Sequence, residues 1–124
     1  FDVVLADAVF LYINREQILY AMDELKRVAK KGLIFIEWNS NSSPLGEIIN
    51  YHWARNYEYW LHKLGFDDKI LVKKITKELW PQKNWYKHGF LFAGSRQASP
   101  ILEKNFFNAL ALQSGIGGEI AMIN

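Results

Sequence analysis

The sequence predicts an α/β protein built on a mixed sheet, and three features of the chain support this fold class. Residues 3–5 and 33–36 are apolar runs without alternation, which is typical of strands covered on both faces. Such strands belong to a parallel sheet with helices on each side. The amphipathic stretch between the two runs predicts a crossover helix, so the two strands should lie parallel. Two later strands lack a helix between them and should therefore pair antiparallel.

The first helix is predicted over residues 15–30, where apolar residues recur at helical spacing from Ile18 to Val28 opposite a charged face. Asn14 is suited to cap its start, with Gln17 as a reciprocal partner. The first strand should therefore end near Ala6. The residues between strand and helix lie at the edge where open α/β sheets bind ligands.

The second half of the predicted domain contains one more helix and two strands. Residues 47–64 carry aromatic and apolar residues at rough helical spacing and end at Gly65. Residues 70–75 predict an edge strand, because two lysines interrupt its apolar run. Residues 76–87 are expected to be irregular, and residues 88–95 predict the fourth strand.

Composition limits the classes of function. The 124 residues are half apolar and carry a net charge of +2, with no basic run that would indicate nucleic-acid binding. Without cysteine there is no disulfide framework or thiolate site. No apolar run approaches the ~18 residues of a membrane span, so a cytoplasmic location is expected. The chain opens with Phe1 inside a predicted strand, and we expect an excerpt of a longer protein.

The predicted domain covers residues 1–96, and residues 97–124 form a tail. The tail is expected to be weakly helical over residues 100–112 and then irregular. Residues 114–118 are rich in glycine, but no strand precedes them, so the context of a cofactor-binding turn is absent.

The order of these pieces resembles the carboxyl-terminal half of class I S-adenosylmethionine-dependent methyltransferases, particularly those that act on small molecules. The resemblance covers residues 1–96 and rests on the opening strand, the short apolar loop after it, the stretch Glu24 to Val28 before Lys31 and Gly32, and the last two strands. It implies a partial Rossmann-like sheet in which the family's strands lie in the order 4-5-7-6, with the last strand antiparallel. The family's glycine-rich turn and its acidic ribose-binding residue do not lie in this chain.

The resemblance also implies roles for individual residues around S-adenosylmethionine. Asp7 matches the residue beside the methionine part of the cofactor, and Ala8 and Val9 would line the cofactor's floor. Tyr12 matches a histidine or tyrosine near the methyl-transfer centre. The residues themselves allow simpler interpretations, in which Asp7 caps a turn and Tyr12 is a buried tyrosine with a satisfied hydroxyl.

Acceptor-binding candidates follow the second strand. Glu37, Trp38 and Asn39 lie where the family contacts its acceptor, and a buried Glu37 could act as a general base. Otherwise Glu37 is a strand-end charge in water. Trp53 and Tyr57 could wall an acceptor pocket, although such aromatic clusters commonly form core. The histidines do not have metal-ligand spacing, so no metal site is predicted.

Three functions remain open from the sequence. The first is methyl transfer from S-adenosylmethionine to a small-molecule acceptor in the full-length parent, because such chemistry depends chiefly on positioning. The second is a non-catalytic interaction module that self-associates through the exposed edge of the opening strand. The third is a carbohydrate-binding surface made of exposed tryptophans.

Overall fold

The computed structural model describes residues 1–96 and the backbone of Glu119–Ile123. Within these residues the strands are β1 (Val3–Asp7), β2 (Gly32–Trp38), β3 (Glu47–Ile49), β4 (His52–Ala54), β5 (Lys69–Lys74), β6 (Gly89–Ser95) and β7 (Glu119–Ile123). The helices are α1 (Ile18–Val28), α2 (Tyr57–Leu64) and α3 (Lys83–His88), and a 3-10 helix spans Phe10–Tyr12.

The main sheet has the order β5-β6-β2-β1-β7. β1 and β2 are parallel, with Val4 opposite Leu33, and β6 runs antiparallel to both β2 and β5. The predicted parallel pair and antiparallel finish are therefore confirmed, and β5 lies at an edge of the sheet as expected. The chain is a mixed α/β protein with helices flanking a mixed sheet.

Alternation of side chains along β2 divides the core between the two faces of the sheet. Leu33 and Phe35 belong to a cluster with α1 and α2, whereas Ile34 and Ile36 belong to a second cluster that includes Trp85 of α3. Because both faces are covered, the strand residues are apolar without alternation. α1 and α2 thus pack on one face, and α3 packs on the other.

Asn14 does not cap α1 as predicted: its side-chain oxygen accepts a hydrogen bond from the backbone N–H of Gln17 at 3.0 Å in the turn before the helix, and the N-cap residue is Gln17, which makes no side-chain cap hydrogen bond. The helix itself is shorter than expected and ends at Val28. Gly32 belongs to β2 and is not among the residues with positive φ, so no left-handed glycine cap follows α1 there.

The predicted helix over residues 47–64 is wrong in its first half. β3 and β4 form a hairpin there, and only α2 is helical. Asn50 and Tyr51 have φ values of 47° and 69°, the pattern of a two-residue type I′ turn, which matches the twist of the flanking strands. Asn56 caps the start of α2, because its side chain accepts from the Tyr59 N–H at 3.0 Å, and Gly65, with φ 85°, caps its end.

Two further segments differ from expectation. Residues 76–87 were predicted to be irregular, but α3 occupies the end of this stretch, and His88 ends that helix instead of opening β6. The edge of β1 was expected to be unpaired, but β7 pairs with it antiparallel, Leu5 opposite Ala121. The helix expected over residues 100–112 and the glycine-rich residues 114–118 lie outside the described residues, whereas residues 119–123, which were expected to be irregular, form β7.

Candidate functional site

Sheet topology brings four chain segments to one edge. The carboxyl ends of the parallel strands β1 and β2 lie together, so the loop after Asp7 meets the end of β2. β6 is antiparallel to β2 and starts with Gly89 opposite Trp38, which places the preceding α3 at the same edge. The β3–β4 hairpin joins them, because Arg55 N–H donates to the Trp38 carbonyl at 3.1 Å and Ser40 N–H donates to the Arg55 carbonyl at 2.8 Å.

The carboxyl group of Glu37 holds the loop that follows β1. Its oxygens accept hydrogen bonds from the backbone N–H groups of Val9 at 2.9 Å, Phe10 at 3.1 Å and Leu11 at 3.3 Å. These are donors at the start of the 3-10 helix, which have no partners within the helix. Burial raises the pKa of Glu37 to about 8 in spite of these hydrogen bonds, and the neighbouring Asp7 adds to the rise.

Arg55 holds the other end of the same loop. Its guanidinium is fully buried and donates to the carbonyls of Phe10 and Ile13, while Nε donates to the Leu45 carbonyl at 3.0 Å. The cation also lies 5.6 Å from the centre of the Trp53 ring. Glu37 therefore binds N–H groups at the amino end of the 3-10 helix, and Arg55 binds carbonyls at its other end.

The junction between β1 and this loop is Ala8. Its φ is 54°, in a region that residues other than glycine rarely adopt, and its N–H donates to the Ile36 carbonyl at 2.9 Å. Glu37 and Arg55 fix the following residues, so the surrounding structure can maintain this conformation.

A cavity of about 460 Å³ opens at this edge beside the loop. Ala8 and Leu11 contribute to its lining, and most of the remaining wall is aromatic: Tyr12, Trp38, His52, Trp80 and Trp85. Gln82 and Asn84 add side-chain amides. Its volume lies within the ~300–1,000 Å³ that is typical of small-molecule sites.

The rings of the cavity contact one another in sequence. Trp80 and Trp85 stack with centroids 4.0 Å apart and planes 7° apart, and Trp38 meets Trp85 edge-on at 5.9 Å. His52 contacts Trp38 at 5.0 Å and Tyr12 at 5.3 Å, both nearly perpendicular. These five rings form a continuous row of contacts, the aromatic wall.

The cavity brings together three of the residues predicted from the sequence: Ala8, Tyr12 and Trp38. Tyr12 is 70% exposed, so the alternative of a buried tyrosine is wrong. Asp7 is fully buried at the end of β1. Glu37 is buried as well, which excludes the interpretation as a strand-end charge in water.

The other predicted residues lie elsewhere. Val9 lines a separate, largely apolar cavity of about 290 Å³ beside α1. Asn39 donates from its side chain to Asn41 at 2.8 Å, and Trp53 packs against Arg55. Tyr57 is a core residue 4.8 Å from the Phe35 ring, and burial raises the pKa of its hydroxyl. None of these side chains is among the described residues that line the aromatic cavity.

Sequence reasoning missed His52, Trp80 and Trp85 as site residues. His52 lay in a segment predicted to be helical, and the two tryptophans lay in a segment predicted to be irregular. One signal could have found the tryptophans: because β6 runs antiparallel to β2, the connection that leads from β5 into β6 must lie at the edge where β2 ends. Tryptophans on such a connection are therefore candidates for the site.

No group of three or more histidine or acidic side chains in residues 1–96 could hold a metal ion. Over the same part of the chain, no helix has both the length and the apolar character needed to cross a membrane. No family model, curated protein or solved structure matches this chain.

Proposed function

We propose that this chain forms the acceptor side of an S-adenosylmethionine-dependent methyltransferase that acts on a small molecule in the full-length protein. The observation that carries the proposal is the aromatic cavity at the carboxyl edge of β1 and β2. Open α/β sheets bind their ligands at this edge.

The order of the strands also supports the proposal. β1, β2, β6 and β5 lie side by side, and β6 runs against the other three. The resemblance to the methyltransferase family implies the same arrangement. Strand order alone describes a scaffold, so the functional assignment rests on the cavity.

The residues predicted to contact S-adenosylmethionine differ in how well their positions suit that role. Ala8 lines the cavity and is suited to the floor beneath the methionine part. The Asp7 side chain is fully buried, so it would act on the site through the backbone at the end of β1. When bound, S-adenosylmethionine supplies a methyl group on a sulfonium, which is electrophilic without help from the protein.

The protein's own contribution is therefore positional. Glu37 and Arg55 hold the loop that bears Tyr12, so that the loop approaches the acceptor in one conformation. Glu37 acts as a positioning residue here, because its carboxyl oxygens are bound to backbone N–H groups. Tyr12 is the exposed hydroxyl in the cavity and is suited to contact the acceptor's reacting group.

Calorimetric titration of the full-length protein with S-adenosylmethionine tests the proposal, with ATP as an adenine-containing control. We expect saturable binding of S-adenosylmethionine at one site and no comparable heat from ATP. Absence of saturable heat with S-adenosylmethionine would defeat the proposal. Equal binding of ATP would show that the site recognises adenine in general and not S-adenosylmethionine in particular.

One observation favours a second function, that of a non-catalytic interaction module. β7 pairs with β1 along the edge that was expected to be open, so the expected self-association through that edge is not supported, but the sheet is completed within the chain. A sheet completed in this way could serve as a scaffold without a cofactor. If so, the full-length protein would show no S-adenosylmethionine binding in the same titration.

The structure removes the premise of the carbohydrate-binding alternative. That interpretation needs exposed tryptophans, but Trp38, Trp60 and Trp85 are buried, and Trp53 and Trp80 are half-buried.

A further inference from the structure

We infer that the outer edge of β5 is a docking surface for an extended, acidic segment of another protein, which adds to the sheet as a further strand. This inference goes beyond the proposed function, because it concerns a different surface of the molecule. No lysine is among the described residues that line the aromatic cavity, whereas lysines form the surface beside β5.

β5 has a neighbouring strand on one side only. It pairs antiparallel with β6, and no described strand pairs with its other side. An edge strand presents backbone N–H and C=O groups to which another extended chain can add. Val72 is 50% exposed on this strand, so the edge also offers apolar surface that a partner can cover.

The stretch that contains β5 and α3 is strongly basic. Residues 69–88 contain six lysines and one acidic residue, although the whole chain has 15 basic and 13 acidic residues. Five of these lysines are exposed and take part in none of the ion pairs formed among the described residues: Lys73, Lys74, Lys77, Lys83 and Lys87. The described part of the chain therefore does not neutralise this positive charge.

The lysines of β5 and α3 lie close to one another. Burial lowers the pKa of His88, and the charges of Lys87 and Lys74 lower it further, so a lysine from each element lies near the same side chain. An acidic segment along β5 would therefore meet the positive charge of both elements.

The two lysines at the end of β5 have defined positions on the edge. Neighbouring residues of a strand point to opposite faces, so Lys73 and Lys74 place one positive charge on each face of the sheet. The ammonium of Lys74 lies 4.6 Å from the centre of the Phe90 ring and donates to the Gly89 carbonyl at 3.2 Å. Acidic side chains on both faces of an added strand would meet these charges.

Charge determines which partner fits this edge. A second copy of this chain that paired through the same strand would bring lysines near lysines, and like charges on neighbouring strands are destabilising. Single-stranded nucleic acid would bind the lysines, but it would leave the backbone groups of the edge and the exposed Val72 without partners. A peptide with acidic residues on both sides of a short apolar stretch matches the lysines, the backbone edge and Val72 together.

The test uses the full-length protein and fluorescence anisotropy with labelled peptides. EEVTVEE has β-branched residues between acidic ends and reads the same in both directions, so it can pair in either orientation. We expect saturable binding of EEVTVEE that weakens severalfold between about 50 and about 300 mM NaCl, because salt screens exposed charges. KKVTVKK, with the opposite charge, should bind at least about tenfold more weakly. Absence of saturable binding of EEVTVEE, or equal binding of KKVTVKK, would overturn the inference.

Two further probes separate strand addition from attraction by charge alone. EEPPPEE has the charge of EEVTVEE, but proline lacks a backbone N–H and does not pair within a strand ladder. It should bind at least about tenfold more weakly than EEVTVEE if the backbone edge is used. Equal binding of EEPPPEE would overturn the inference. Tighter binding of labelled oligothymidylate than of EEVTVEE would also overturn it, because the surface would then be one for nucleic acid.

A pair of matched variants locates the binding on β5. Lys73→Glu reverses one charge at the edge and should weaken binding of EEVTVEE by about tenfold or more. Lys26→Glu makes the same change at an exposed position of α1 and should leave binding within about twofold of the original. Because the two variants have the same net charge, equal effects of both substitutions, whether large or absent, would overturn the inference.

Discussion

Glu37 connects the end of β2 to the loop that borders the cavity. Its carboxyl group is buried and accepts three backbone hydrogen bonds, so the loop depends on one side chain. Composition and spacing place this residue at the end of a strand. They do not reveal its partners, because the partners lie 26 to 28 residues earlier in the chain.

Stability should depend on pH through this group. Since the folded-state pKa of about 8 exceeds the ordinary value of 4.5, the folded protein binds the proton more tightly than the unfolded chain. The contribution of this group to stability is therefore complete below about pH 4.5 and is lost as the pH rises to about 8. The expected slope is at most about 1.4 kcal/mol per pH unit.

Glu37→Gln isolates this contribution, because glutamine does not titrate. Urea unfolding across that pH range should give a flatter profile for Glu37→Gln than for the unaltered protein. Its free energy of unfolding at low pH should be lower by about 1–3 kcal/mol, since one loop N–H loses its acceptor. Glu16→Gln, at an exposed position, should keep the original profile. Parallel profiles for all three proteins would contradict the role given to Glu37.

Arg55 holds the other end of the loop after β1, and a substitution at this residue tests that role. Its guanidinium donates to three carbonyls in different directions, which the single ammonium of lysine cannot reproduce. Arg55→Lys should lower the free energy of unfolding by about 2–4 kcal/mol in urea denaturation. Arg27→Lys is the matched control, because Arg27 forms an exposed pair with Glu24, and it should cause little change. Similar effects of both substitutions would show that Arg55 does not hold the loop.

The β3–β4 hairpin places His52 in the aromatic wall. A substitution in its turn can test whether this hairpin forms. Tyr51 is 96% exposed and has φ 69°, a conformation that is costly for a residue with a side chain. Tyr51→Gly gives an Asn-Gly pair, which favours the type I′ turn, and should stabilise the protein by about 1 kcal/mol. Thermal unfolding monitored by circular dichroism measures this change.

The same substitution at Tyr20 should have the opposite sign. Tyr20 is also exposed, but it lies within α1, where glycine costs about 1 kcal/mol relative to a good helix former. Destabilisation by both substitutions would contradict the turn described for residues 50 and 51.

Elements with a single strong signal were predictable from the sequence, and those with competing signals were not. Residues 3–6 of β1 and 33–36 of β2 are apolar without interruption, and α1 has one apolar face. Residues 47–64 contain apolar residues at spacings that fit a helix, yet Asn50 at the turn and Asn56 at the cap divide the stretch into a hairpin and a helix. α3 has six residues, too few for a periodic pattern to be recognised.

For the whole molecule, topology was more predictable than the site. Strand directions follow from the connections between elements, so the convergence at one edge could be expected. The strand order came from the resemblance, and the pairing of β7 with β1 was not predicted. Tyr12 and Trp38 were identified from the resemblance and from their positions, in the loop after β1 and at the end of β2. The positions of Trp80 and Trp85 in the aromatic wall depend on how the connection from β5 to β6 folds back over the sheet. Local sequence patterns do not encode that path.

A crystal structure of the full-length protein grown with S-adenosylhomocysteine is the most direct measurement of the function proposed here. We expect the cofactor's sulfur beside Ala8, facing the cavity that Tyr12 and Trp38 border. A structure in which S-adenosylhomocysteine binds away from this edge, or does not bind at all at saturating concentration, would contradict the assignment.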